Sequence, residues 1–307
     1  MRYDAQQILN GVFLGSIYAL FAVGYTLVFG VLDVLNLAHS AVFMLGAVLA
    51  YSLVALHGTP FWIAAPIAIV GGGVMGVVIE FVCLRPLRRR DAPPITALIS
   101  TIGLALVLVA LVEQGRPGRF ISWLWRDGAN SVSLPKGTVP DRAFHLAGLI
   151  VPETKVAILV LSLILMVVLG AVIGRTNAGR AMRAVAENPT AARILGINVD
   201  RVILTTLVAS SALAALSGVL YGVAISDISP YIGRDQVELR GLAVIVLGGM
   251  GSVTGSIVGG YLLALIEVIT LLTLGTNVRA AIAFAALFVM LVIRPRGLFG
   301  TTARERV

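Results

Sequence analysis

The stretch RTNAGRAMRAVAENPTAARILGINVDR, Arg175 to Arg201, decides how the rest of the sequence is read. It is a long polar, basic interruption in an otherwise largely apolar chain, with Arg175, Arg180, Arg183, Arg193 and Arg201 set against Glu187 and Asp200. Asn188 suits a helix N-cap, and Pro189 suits the first helical position, where a missing N–H is no loss. A short helix over Thr190 to Leu195 follows, Gly196 supplies the left-handed stop, and Asp200 is the expected cap of the next helix. A rigid, capped knob held between two apolar helices suggests a docking surface.

Outward from this stretch, the composition places the chain in a bilayer. Of 307 residues 58% are hydrophobic and 12% charged, where a soluble domain carries about 25% charged residues. Apolar runs of roughly 20 residues recur, the length a membrane helix needs. The net charge of +8 sits mostly on arginine in short connections, the pattern of cytoplasmic loops rather than of a nucleic-acid-binding face. Cys83 is the single cysteine, which excludes an intrachain disulfide and a cysteine metal site. Neither Lys136 nor Lys155 follows a glycine-rich phosphate loop, so the chain does not bind ATP by that device. It carries no catalytic constellation and is expected to be neither an enzyme nor a holder of a metal or other cofactor.

The fold class is therefore all-α: a polytopic transmembrane helical bundle of about eight to ten crossings, including interrupted helices. The expected spans are 8–32, 41–56, 61–84, 92–112, 153–174, 202–226, a short segment 241–250, 253–274 and 278–293. The chain reads as one transmembrane domain over 1–307. Arginine density puts 85–90, the coupling segment 175–201 and the tail in the cytoplasm, and leaves 114–152 as an external loop with room for a short helix or hairpin. An odd number of crossings before residue 85 would put the N-terminus outside. Residues 227–240 read as a polar loop. Met44 to Ala50 echoes Val258 to Ala264, each after an interruption, which suggests a two-fold internal repeat.

Polar residues at membrane depth are expensive and need partners or a wet path. Asp33, Asn36 and His39 share one helical face if the helix continues through them. They either line a translocation path or fix the bundle by interhelical hydrogen bonds. Gly248, Gly249, Gly251 and Ser252 mark a second break. Glu267 lies mid-span and is expected to hydrogen-bond a neighbouring helix, with a proton relay as the alternative; Glu80 is assigned no role. The pairs Gly72/Gly76, Gly218/Gly222 and Gly255/Gly259 read as close helix packing.

Four motifs in order, Asn36-Leu-Ala-His39-Ser40, Ala186-Glu-Asn-Pro-Thr-Ala-Ala-Arg-Ile-Leu-Gly-Ile197, Gly248-Gly-Met-Gly-Ser252 and Ile293-Arg-Pro-Arg-Gly-Leu-Phe299, resemble the permease family of branched-chain amino-acid ABC importers, its LivH-type subunit in particular. The resemblance runs from about Ile8 to Phe299. It implies a bacterial inner-membrane permease working with a second homologous permease subunit, two cytoplasmic ATPase subunits that hydrolyse the ATP, and a periplasmic substrate-binding protein, all within membrane lipid. It assigns coupling to the ATPase to Arg183, Glu187, Asn188, Pro189, Ala192, Arg193 and Gly196; the residues themselves fit this, with Ala191 and Ala192 offering a small apolar patch. Beside the resemblance, the polar breaks at membrane depth are the expected translocation path: Asp33, Asn36, His39, Gly248, Gly249, Gly251 and Ser252. Related permeases carry urea, short amides or other small organic solutes. A reading from another class is an ion-coupled secondary transporter using Glu267 or Asp33.

Overall fold

The computed structural model describes residues 2–118, 121–140, 142–146, 149–275, 278–294 and 297–300. Almost everything in it is helix. In chain order these are α1 (Arg2–Leu32), α2 (Ala38–Tyr51), α3 (Phe61–Ile79), α4 (Arg85–Arg89), α5 (Pro94–Glu113), α6 (Glu153–Arg175), α7 (Asn177–Glu187), α8 (Pro189–Ile194), α9 (Val199–Ile225), α10 (Leu239–Gly248), α11 (Val253–Leu274) and α12 (Arg279–Ile293). Wider π-helical turns extend three of them, at Ser52–Leu56, Glu80–Leu84 and Gly233–Glu238. Seven of the resulting rods are long and apolar enough to cross a membrane.

α1 is the pillar. It packs against α11, α9, α6 and α10, and between Ile17 and Val23 its side chains are almost wholly buried. Small residues let the backbones meet. A Cβ on Gly218 of α9 would stand 1.9 Å from the Phe43 carbonyl of α2, and one on Gly260 of α11 would stand 2.6 Å from the Ala19 backbone of α1. With no hydrophobic drive between helices in lipid, such close approach is what holds a membrane bundle together.

Two ends of the bundle are defined by cross-links. At one end, Gln6 exchanges hydrogen bonds with the Ile150 backbone, and Val132 pairs with Ile228. His57 bonds the Trp123 carbonyl there too. The 114–152 connection carries an antiparallel hairpin, β1 (Ala143–Leu146) with β2 (Leu149–Pro152). Trp125 of this connection is fully buried and donates to the Gly128 carbonyl at 2.8 Å; Trp123 is exposed, and Phe120 lies outside the described residues. At the opposite end lie the arginine-rich segments around 85–90 and 175–201.

Three expectations about local structure need correction. The basic run 85–90 is not a loop: α3 continues through the π turn into α4 as one rod over Phe61–Arg89. Residues 227–240 are not wholly loop either, since helix begins at Gly233 and runs unbroken through Glu238 into α10. Each of these stretches is polar because it carries ion pairs, not because it is unstructured. Third, Asp200 does not cap α9. Asn198 does, accepting from Arg201 N–H at 3.0 Å, while Asp200 turns to arginines of α4.

The interruption after α1 is a true break. Asp33 takes a left-handed conformation (φ 53°) and ends the helix. The chain then turns back into the bundle, so that Leu37 N–H meets Thr101 Oγ1 about two turns inside α5. α2 therefore starts at depth, beside the middle of α1 rather than at its end.

Candidate coupling and translocation sites

The candidate coupling segment is assembled by local caps. Thr176 Oγ1 accepts from Gly179 N–H at 3.2 Å and starts α7 directly off α6. A Cβ at Gly179 would stand 2.1 Å from the Ile173 carbonyl, so this corner admits only glycine. Arg183, one turn on, donates to the same carbonyl. Asn188 Oδ1 accepts from Thr190 and Ala191 N–H, both at 3.0 Å, and Pro189 fills the first position of α8. α8 ends in a Schellman motif: Gly196 (φ 82°) donates to the Arg193 carbonyl and Ile197 to the Ala192 carbonyl, both at 3.0 Å.

This geometry divides the predicted coupling residues. Ala192 is 1% exposed and anchors α8 to the bundle, so it is not part of an outward patch. The apolar surface that α8 offers is Ala191, Ile194 and Leu195, the last two being 82% and 78% exposed. Glu187, Pro189 and Arg193 stand around it, exposed. Of the two alanines expected in the patch, Ala191 is exposed and Ala192 is not, while Ile194 and Leu195, read only as helix, supply most of the apolar surface.

Behind α8 lies an ion network that the sequence reading missed. Glu80, 2% exposed, receives Arg88 Nη2 at 2.6 Å, and the same nitrogen reaches Asp200 Oδ1 at 2.9 Å. Arg85 approaches Asp200 at 3.9 Å. The cluster ties the base of the α3–α4 rod to the first turn of α9, just beyond the knob. An eight-residue spacing of Glu80 and Arg88 was the available signal, usable only if the helix is carried past Leu84.

The residues predicted for the path do not form one face. Asp33 is exposed at the turn, away from Asn36 and His39, which are 1% and 0% exposed. His39 bonds the Phe21 carbonyl at 3.2 Å and Ser210 Oγ at 3.3 Å, and its ring packs between Phe21 and Tyr25. Neither amide atom of Asn36 has a hydrogen-bond partner among the described residues. At the second break, Gly249 (φ 105°) and Gly251 (φ 84°) make a turn, and Ser252 caps α11 by accepting from Gly255 N–H at 3.1 Å. Gly248 packs backbone to backbone on Gly255 and accepts from Phe299 N–H at 2.9 Å. Gly251 and Arg183 line one small cavity of about 90 Å³ with Thr26, Gly30 and Met182. The second break and the Arg175–Arg201 segment thus face one shared cavity.

Glu267 is wholly buried and ion-paired: Arg240 Nε lies 2.6 Å from Oε1, and Tyr18 donates to Oε2 at 3.3 Å. Arg240 could not be matched to it while residues 227–240 were read as loop.

A multi-helix membrane bundle with two broken helices and an exposed knob at its basic end has the build of a membrane permease. A family model described as branched-chain amino acid transport system / permease component matches residues 7–293, and the chain belongs to that family. It is 34% identical over 317 residues to the high-affinity branched-chain amino acid transport system permease protein LivH of Escherichia coli K12, covering 99% of this chain and 98% of that one. It is 33% identical over 310 residues to the permease protein BraD of Pseudomonas aeruginosa, covering 98% and 97%. Among solved structures, PsaBC from Streptococcus pneumoniae in complex with Fab superposes over 95% of this chain and 93% of that chain, with TM-score 0.50 and 9% identity, a likeness of fold alone.

Proposed function

We propose that this chain is the membrane-spanning permease subunit of an ATP-driven importer in the inner membrane, carrying branched-chain or related small amino acids inward from a periplasmic binding protein. It works beside a second permease of the same kind and is driven by two separate cytoplasmic ATPases. The observation that carries the reading is the α8 knob: a capped, rigid helix exposing Ala191, Ile194 and Leu195 at the arginine-rich end of the bundle. Exposed large apolar side chains in a polar setting mark a contact surface. ATP-driven closure of the partners displaces α8 as a rigid body, and α7, whose Arg183 shares a cavity with Gly251, carries that displacement toward the second break.

The proposed arrangement is one permease domain with nine passes: Arg2–Leu32, Ala38–Leu56, Phe61–Arg89, Pro94–Glu113, Glu153–Arg175, Val199–Ile225, 233–248, Val253–Leu274 and Arg279–Ile293. The N-terminus and the 114–152 connection are external, and the 175–201 segment is cytoplasmic. The Gln6–Ile150 hydrogen bonds and the excess of arginine at the other end support this orientation. An ion-coupled carrier is disfavoured because Glu267 is already neutralised by Arg240 and Asp33 sits exposed on a turn.

The test begins with Cys83 replaced by serine. A cysteine at Thr190 reacts with an impermeant maleimide only from the cytoplasmic side, and one at Lys136 only from outside. The assembled complex in proteoliposomes then takes up leucine with ATP and loaded binding protein, but not under an ion gradient alone. Labelling of Thr190→Cys from outside would end the proposal.

A further inference from the structure

Where α2 begins at depth, its first turn borders a cavity of about 270 Å³ that the assigned path residues do not account for. Its apolar walls include Leu37 and Met44 from the start of α2 and Ile102 and Ala105 from the middle of α5. Its charged groups, Arg234 and Glu238, sit four residues apart on the π-helical turn Gly233–Glu238. π turns inside α-helices are rare and concentrate at functional sites. This one is pressed onto α2, since a Cβ on Gly233 would stand 2.1 Å from the Ser40 carbonyl. Arg234 pairs with Asp235 at 3.0 Å, not with Glu238, and Glu238 accepts a hydrogen bond from Ser40 Oγ at 3.3 Å. Two opposite charges thus border one small, mostly apolar space without closing on each other.

We infer that this cavity is a transient binding site for a zwitterionic amino acid with an aliphatic side chain. Glu238 receives the ammonium, Arg234 the carboxylate, and Met44, Ile102 and Ala105 the side chain. The volume lies just under the usual range of ligand pockets, about 300–1,000 Å³, which suits a molecule of this size. A paired acid and base select for zwitterions over amines or acids of like shape, because either charge left alone beside the apolar wall is penalised. The pocket opens on the flank of the bundle, where Leu106, Arg234 and Leu239 are exposed, at the depth of the middle of α5. The inference rests on the proposed importer function and specifies its selectivity.

The experiment uses the complete complex in proteoliposomes, with ATP, loaded binding protein and radiolabelled leucine. Wild-type uptake is established first; if it is absent, the importer reading fails, whatever the cavity does. Given wild-type uptake, Glu238→Gln lowers it by at least about tenfold, the effect of losing one charge-assisted contact, while ATP hydrolysis stimulated by the binding protein persists. Glu238→Asp, which keeps the charge, retains more uptake than Glu238→Gln. A merely structural role in holding Ser40 predicts the reverse order, since glutamine still accepts that hydrogen bond and the shorter aspartate does not; that order would overturn the inference. Ala105→Phe, which fills the space, abolishes uptake in a complex that still assembles, and normal uptake by this variant would overturn it as well.

Discussion

Arg88 Nη2 lies 2.9 Å from Asp200 Oδ1, so the α3–α4 rod is bound to the first turn of α9 across 112 residues of sequence. The same guanidinium holds Glu80, and the two carboxylates are not equivalent. Glu80 is 2% exposed, whereas the Asp200 side chain is 44% exposed. Solvent screens the second contact and leaves it worth about 0.2–1 kcal/mol. Removing Glu80 takes away the buried partner and leaves Arg88 only its solvent-screened contact with Asp200, a loss of about 1.5–3 kcal/mol for a charge-assisted hydrogen bond. Glu80→Ala is therefore expected to lower the unfolding midpoint of the purified protein far more than Asp200→Ala, and equal effects would contradict the assignment.

Arg240 and Glu267 form the other enclosed pair. Deleting either member alone leaves an uncompensated charge inside the bundle and costs about 3–5 kcal/mol. The double replacement Arg240→Leu with Glu267→Leu is expected to cost less than either single change, because an apolar pair of similar size needs no partner. A double-mutant cycle on equilibrium unfolding measures this directly.

Gly196 tests the stop of α8. Nothing lies within 4 Å of a Cβ built there, so the obstacle to a side chain is its φ of 82° and not crowding. Gly196→Val strains the left-handed turn by about 1–2 kcal/mol, whereas Gly196→Asn is tolerated better. Uptake per ATP hydrolysed should fall in the valine variant and largely survive in the asparagine variant. Equal coupling in both would separate the Schellman turn from the coupling role.

His39 is held on every side, by Phe21, Tyr25 and Ser210. His39→Ala opens a void in the tightest part of the bundle, at about 2–5 kcal/mol for a large-to-small change. The expected result is loss of assembled protein on size exclusion. A variant that assembles normally but transports poorly would return His39 to the path.

The comparison of sequence with structure turns on how far a cause lies from its effect along the chain. The caps at Asn188 and Gly196 and the glycine turn at 248–252 were legible because each is set by neighbours within a few residues. The Asp33 break was visible as a polar interruption, yet its return into the bundle was not, since Thr101, which receives Leu37, is in another helix. Glu267 was expected to find a hydrogen bond, but its partner 27 residues away was hidden by reading Arg240 as loop. Arg88 was read as part of a basic cytoplasmic run and Asp200 as a helix cap, so their pairing went unseen for the same reason. Their polarity marked a contact between helices, and composition alone cannot distinguish that from contact with water.

The central position of α1 bears on how the molecule is made. Its closest neighbours, α9 and α11, are encoded in the later half of the chain. α1, made well before α9 and α11, therefore waits in lipid with its glycine-lined faces bare until those helices follow. Biogenesis of this subunit must shelter that early helix, and truncations that spare α1 but remove α9 onward are expected to leave it as prey for membrane proteases.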